Sequence, residues 1–414
     1  MAANILKIAA LYTAHCLIPA TLLITTHKQS ALRYVSIPCL IYIAYQGLCV
    51  TYALGPGYIW CEVARLLLTI VFQALDLLLL NPKDAADLSF DYGRTPVARL
   101  YYAIKLLTHP RGINTQDQIK NIPQQPRYYA RRNFKNPPRG RFLLRQSAIA
   151  VWQYLALDLF ATLALQQALE QKTHARLPST VQWDLSADQW IERVISNLVA
   201  GAVVSRMLID IHHRVFSIVL VGLGLESASD CPPLFGRITD AGSLRGFWGK
   251  FWHQMLRHPL SSVSDFISCK VLGLSRGSLL GRYTVIYLVF FFSSGLHVAL
   301  DFVQGIPLQE SGALLLFNLA PLGLMIEDGV IAAWENTGTQ EKKHPRLWTK
   351  ALGLLWTMTW LGVTSTWFFY PQMLRPDNQK LVPLSLAQEV GLPIVGGALI
   401  VWGVVVGLVF EVEV

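Results

Sequence analysis

A histidine sits inside an apolar run, Phe290-Phe291-Phe292-Ser293-Ser294-Gly295-Leu296-His297-Val298-Ala299-Leu300. An imidazole in such a setting is costly to desolvate, so a chain keeps it for proton or ion traffic, for a buried partner or for chemistry. A neutral ring accepts a proton near physiological pH, which makes His297 a candidate general base. Asp301 follows four residues later and shares its helix face, either to orient the ring or to stand at the far membrane interface. Ser293, Ser294 and Gly295 are small enough for neighbouring helices to approach closely, which turns His297 toward a bundle and away from lipid. A packed histidine bonded to a neighbouring helix is the structural alternative, and position alone leaves both open.

A second cluster lies upstream. Phe247, Trp248, Phe251, Trp252, Met255 and Leu256 share one face of a helix, and Lys250, His253, Gln254 and Arg257 fall on the other. Ser243 is the expected N-cap and Pro259 the expected stop. The pattern predicts an interfacial or re-entrant helix, whose tryptophans and basic residues suit a membrane boundary with or without chemistry. Further charges interrupt apolar stretches at Asp76, Asp158, Arg206, Asp210, Glu327 and Asp328. Structural pairing is the expectation for most of them, with Arg206 and Asp210 the natural i, i+4 pair. The adjacent His212 and His213 point about 100° apart on a helix and suit a shared metal ion poorly, so no metal site is expected.

The elements that must position these residues are membrane helices. Of the 414 residues, 53% are hydrophobic and only 15% charged, against roughly 25% charged in soluble domains. Apolar blocks of spanning length occur at 5–26, 35–54, 58–80, 148–169, 195–223, 283–303, 313–334, 352–370 and 390–409. This predicts an all-α polytopic protein of about nine transmembrane helices, folded as a single membrane-embedded domain over 1–414. A short amphipathic helix is expected within 96–107, lying on the membrane, and a Pro- and Arg-rich loop with little regular structure around 124–141. The first block is read as a retained helix and not a cleaved signal peptide.

The net charge of +9 is concentrated in the loop 83–145. Placing that loop in the cytosol also puts 237–282 and 342–350 there, and leaves the Gly55-Pro56-Gly57 turn and the acidic stretch 170–192 on the other side. Nucleic acid is not an expected partner, since no soluble fold displays the basic residues. The six cysteines lack metal or CxxC spacing and are expected to be unpaired. No internal repeat is visible, which weighs against the common inverted-repeat transporter plans.

Taken together, Phe247, Trp248, Phe251, Trp252, His253, Gln254 and Arg257, followed by Ser294, Gly295, Leu296 and His297, resemble the wax-synthase-type domain of the membrane-bound O-acyltransferase superfamily. Ile326-Glu327-Asp328 resembles an acidic segment of the same proteins, so the motif region covers about 235–330. The pattern is similar to the fungal branch that acetylates terpenoid and meroterpenoid alcohols. The resemblance implies transfer of an acyl group from acetyl-CoA or another acyl-CoA to a lipophilic alcohol within the bilayer, with no bound cofactor. It implies His297 as the base and His253 as its partner. Trp252, Arg257, Arg245 and Lys250 are the expected substrate-binding residues, the cations meeting CoA phosphates. An endoplasmic-reticulum location is expected. A long-chain wax or sterol ester synthase would use the same residues, and a proton-coupled transporter or channel built on His297 is the non-enzymatic alternative.

Overall fold

The computed structural model describes residues 1–92, 95–134, 136–172, 186–336, 347–373 and 381–411, and no strand occurs among them. The helices are α1 (Ala2–Thr25), α2 (Ala31–Ala53), α3 (Tyr58–Leu75), α4 (Ala85–Tyr92), α5 (Pro96–Thr108), α6 (Arg127–Ala130), α7 (Arg139–Lys172), α8 (Ala187–Leu198) and α9 (Arg206–Gly222). They continue as α10 (Leu244–Gly246), α11 (Arg257–Phe266), α12 (Leu279–Val303), α13 (Ala313–Asn336), α14 (Leu347–Thr364), α15 (Thr366–Met373), α16 (Leu386–Val390) and α17 (Leu392–Phe410). Four π-helical turns adjoin them, at Asp76–Leu80, Val199–Ser205, Phe247–Phe251 and Ile267–Val271.

Eight helical segments are long and apolar enough to cross a membrane: Ala2–Thr25, Ala31–Ala53, Tyr58–Leu80, Arg139–Gln166, Ala187–Gly222, Leu279–Val303, Ala313–Asn336 and Leu392–Phe410. They match eight of the nine expected blocks. The ninth, 352–370, is divided at Ser365 into α14 and α15. There Thr364 and Thr366 each turn a hydroxyl back onto the carbonyl four residues earlier, at 2.7 and 3.0 Å, an arrangement that bends helices. Large apolar side chains face outward along the spans, as with Leu408 at 78% exposure on α17, while acids and hydroxyls are buried. Such an inside-out distribution fits a lipid surround.

The chain forms two compact units: residues 1–119 with 255–321, and residues 120–254 with 322–414. In the first, α1, α2 and α3 pack side by side, α5 lies along α1, and α12 lies against α2, α3 and α11. The core joins Ala20, Leu23 and Leu40 to Leu77, Leu78, Tyr102 and Leu107. Helix α5 is the short helix expected at 96–107, capped by Thr95 and started by Pro96. Its Tyr102, Ala103, Leu106 and Leu107 are buried against this core rather than in lipid. The Gly55-Pro56-Gly57 turn joins α2 to α3, with Gly55 at φ 94, a left-handed value that favours glycine.

In the second unit α7 packs between α9 and α17, and α14 packs on α8. The region expected to be irregular around 124–141 carries the one-turn helix α6, whose Tyr128 and Tyr129 enter a core with Phe142, Ile149, Val221 and Phe410. None of the six cysteines is in a disulfide. The acidic stretch 170–192 and the basic stretch 342–350 lie largely outside the described residues.

Candidate active site

The charges that interrupt the spans are mostly committed to named partners. Asp76, 1% exposed, accepts from His258 Nε2 at 2.8 Å, from Asn81 Nδ2 at 2.7 Å and from the Ser262 hydroxyl. Asp158 accepts the Ala387 N–H at 2.8 Å at the start of α16. The expected Arg206–Asp210 pair does not form. Asp210 instead meets Arg214, one helical turn on its other side, and Gln153 Nε2, each at 2.7 Å. Arg206 turns away and lays its guanidinium over Phe235 and Phe251, 5.4 and 5.5 Å from the ring centroids. His212 and His213 bond separate carbonyls, those of Leu208 and Pro232, at 2.6 and 3.2 Å.

The segment holding His253 is built in the second unit. Ser243 caps α10 as expected, its hydroxyl accepting from Gly246 N at 2.9 Å. Glu327, buried in α13, supplies a second cap: its carboxylate accepts from Leu244 N at 2.6 Å and Arg245 N at 3.0 Å. Asp328 beside it pairs with the Arg245 guanidinium, with one contact at 3.1 Å. The acidic dipeptide that looked out of place in an apolar run is therefore an anchor for the aromatic segment.

That segment corrects the expected helix. Helical structure starting at Leu244 passes into the π turn Phe247–Phe251 and ends there, and Trp252 is extended at φ −71 and ψ 149. Pro259 does not stop this helix; it lies in the first turn of α11, where a proline costs no hydrogen bond. Gln254 explains the break. Its side-chain Nε2 donates to the Trp248 and Trp252 carbonyls at 2.8 and 2.7 Å, satisfying groups that a continuing helix would have claimed. Trp252 stacks on Phe247 at 5.5 Å and meets Phe235 edge-on at 5.4 Å. The half-buried His253 ring stands edge-on to Phe235 at 5.9 Å. Lys250 lies exposed beside a cavity of the same unit.

His297 and Arg257 belong to the first unit. Arg257 opens α11, where burial of its guanidinium weighs against the charged form and lowers its pKa. His297 sits on α12, half-buried, its ring 4.2 Å from that of Phe317 on α13. Its Nδ1 lies 2.8 Å from the Ser293 carbonyl oxygen. A carbonyl can only accept, so Nδ1 carries the proton, and in the neutral ring the lone pair is on Nε2. Ser294 is fully buried and donates to the Phe291 carbonyl at 2.6 Å, whereas a Cβ at Gly295 would meet nothing within 4 Å among the described residues. Asp301, 2% exposed, accepts from the Ser311 hydroxyl at 2.7 Å and ties down the turn between α12 and α13.

Sequence reasoning named Trp252, His253, Lys250 and Arg245, which lie in the second unit, and Arg257 and His297, which lie in the first. It missed Gln254 and Glu327 as positioning residues. Their signal was there, an amide among aromatics and an acid in an apolar helix, but the backbone groups they serve carry no sequence signature.

Comparison with known proteins agrees with this picture. The Membrane bound O-acyl transferase family matches residues 231–319, which include both histidines and the aromatic segment. "Acetyltransferase pyr8" of Aspergillus fumigatus is 38% identical over 405 residues, covering 96% of this chain and 94% of that protein. "Acetyltransferase atnC" of Arthrinium sp is 33% identical, over 98% of this chain and 96% of its own. "Acetyltransferase TRI7" of Fusarium sporotrichioides is also 33% identical, over 99% and 97%. No solved structure matches the chain. Similarity of this extent, on a helical membrane architecture with the motif residues in place, makes the chain an integral membrane acyltransferase of the membrane-bound O-acyltransferase family.

Proposed function

We propose that the protein transfers an acetyl group from acetyl-CoA to the hydroxyl of a lipophilic alcohol, of the terpenoid or meroterpenoid kind, in secondary-metabolite biosynthesis. The observation that carries the reading is the 2.8 Å contact of His297 Nδ1 with the Ser293 carbonyl oxygen, which leaves Nε2 as the basic atom. Relatives that cover nearly the whole chain and bear the name acetyltransferase support the acetyl donor.

In this reading Nε2 takes the proton of the alcohol as its oxygen attacks the thioester carbonyl. The tetrahedral adduct collapses, the carbon–sulfur bond breaks, and the CoA thiolate leaves and recovers the proton from the imidazolium. The oxygen–carbon bond formed replaces the carbon–sulfur bond broken, and no acyl-enzyme is needed. His253 is the second residue on which turnover depends, and Trp252 with the aromatic segment forms part of the substrate contact. No resident cofactor takes part. The enzyme is placed in the endoplasmic-reticulum membrane with its basic loops in the cytosol, where acetyl-CoA is met.

General-base catalysis contributes about 10²–10⁴-fold. His297→Ala and His297→Gln should both lose roughly that factor with folded protein retained, since an amide hydrogen-bonds but does not take the proton. Membranes holding each variant are assayed for acetyl-CoA- and long-chain acyl-CoA-dependent esterification of a panel of alcohols. An active His297→Gln enzyme removes the base assignment, and transfer of long chains in place of acetyl replaces this reading with a wax or sterol ester synthase.

A further inference from the structure

We infer that a basic cavity in the second unit holds the phosphorylated nucleotide end of the acyl donor, an inference that rests on the thioester reading above. The cavity has a volume of about 370 Å³, within the range of roughly 300–1,000 Å³ for small-molecule sites.

Its walls carry five cationic side chains, Arg145, Arg206, Arg214, Arg237 and Lys250, against the two acids Asp210 and Asp240. Asp210 is already neutralised by Arg214 and bonded by Gln153. Arg145 is 4% exposed and has no carboxylate partner among the described residues; its Nε donates to the Phe410 carbonyl at 3.2 Å. Arg206 is held against Phe235 and Phe251, and its Nε, sealed from solvent, has no hydrogen-bond partner among the described residues. Unneutralised buried cations are costly unless an anion arrives to meet them. The acceptor alcohol carries no such charge. The phosphates of a CoA thioester do, and planar guanidinium groups bind phosphate in bidentate fashion.

The frame is built to hold its shape. Gly236 donates its N–H to the Phe251 carbonyl at 2.9 Å, and a side chain at Gly236 would collide with the Lys250 backbone carbonyl. Asn121 Nδ2 reaches the Gly249 carbonyl at 3.1 Å and ties the opposite wall to the same turn. Arg206 follows one π-helical turn and Lys250 lies within another, and such turns re-aim side chains and recur at functional sites. Arg245, expected from sequence to meet phosphate, is held by Asp328 instead.

The test is equilibrium binding of CoA, a free thiol and so not a substrate, to the purified full chain in detergent. Arg206→Gln and Lys250→Gln should each weaken CoA about tenfold or more, the loss of a charge-assisted contact. Each should raise the apparent KM for acetyl-CoA by a similar factor with kcat held. Arg276→Gln, a surface cation remote from the cavity in sequence, serves as the control. Lys250 is exposed, so Lys250→Gln keeps the question open to refutation if Arg206→Gln misfolds. Wild-type protein that binds CoA with both variants unchanged overturns the cavity assignment and leaves the thioester reading intact. Wild-type protein that binds no CoA overturns both. A soluble dioctanoyl phosphatidylinositol 4-phosphate is titrated in parallel: if the variants lose that ligand and keep CoA, the cavity is a lipid headgroup site and the inference fails.

Discussion

Glu327 and Asp328 are adjacent acids with unequal duties, and the difference can be measured. Glu327 is 7% exposed and accepts two backbone N–H groups, from Leu244 and Arg245. Hydrogen bonds to a charged acceptor contribute about 1.5–3 kcal/mol each. Glu327→Gln keeps one acceptor oxygen and turns an amide donor toward the other N–H, so roughly 2–3 kcal/mol should be lost. Asp328 pairs with an Arg245 side chain that is 42% exposed, its own side chain being 21% exposed. Partly solvated pairs of this kind contribute roughly 0–1 kcal/mol, so Asp328→Asn should cost less than about 1 kcal/mol. The assay is thermal melting of the detergent-solubilised variants beside their turnover. Glu327→Gln should melt clearly lower and lose activity, because the cap it removes sets where the π turn and Trp252 begin. Asp328→Asn should behave nearly as wild type. Equal losses, or a larger loss for Asp328→Asn, would refute the idea that the buried carboxylate anchors the aromatic segment.

Two further outcomes are expected. His258 is held by Asp76, and that bond raises its pKa above the ordinary 6.5; the charged form is thus favoured in the folded state. The contribution to stability is complete below about 6.5 and is lost as pH climbs through the raised value, so melting temperature should fall toward high pH and His258→Gln should flatten that fall. In a background lacking native cysteines, Lys120→Cys and Asp188→Cys should label from opposite sides of sealed vesicles; labelling of both from one side would reverse the orientation drawn from the basic loops.

Much of the helical plan was legible because membrane spans declare themselves by length and apolarity, and eight of the described segments meet that test. Ser243 was legible too, as a hydroxyl placed just before a helical run. The end of that run was not. Periodicity carried it on to Leu256, whereas two side-chain bonds from Gln254 to backbone carbonyls end it at Phe251. Asp210 shows a different limit. Arg206 and Arg214 flank it at the same spacing, so the pattern offers two partners and only packing chooses between them. The basic cavity was illegible for a third reason: its cations come from stretches around 145, 206–214 and 237–250, which no local window joins.

The π turns also bear on how the site can be re-aimed. Each closes its backbone hydrogen bonds one residue wider than an α-helix does. Removing one residue from Phe247–Phe251 would restore ordinary winding and swing whatever follows by about 100°, carrying Trp252 and His253 off their present aromatic neighbours. Removing one from Val199–Ser205 would rotate Arg206 in the same way. Insertions and deletions at these two places therefore give evolution a coarse dial on where the aromatic histidine and the cavity arginine point, one that no point substitution supplies. Sequences of relatives should keep or lose residues there in whole single steps, and a change at either place should accompany a change in what the enzyme accepts.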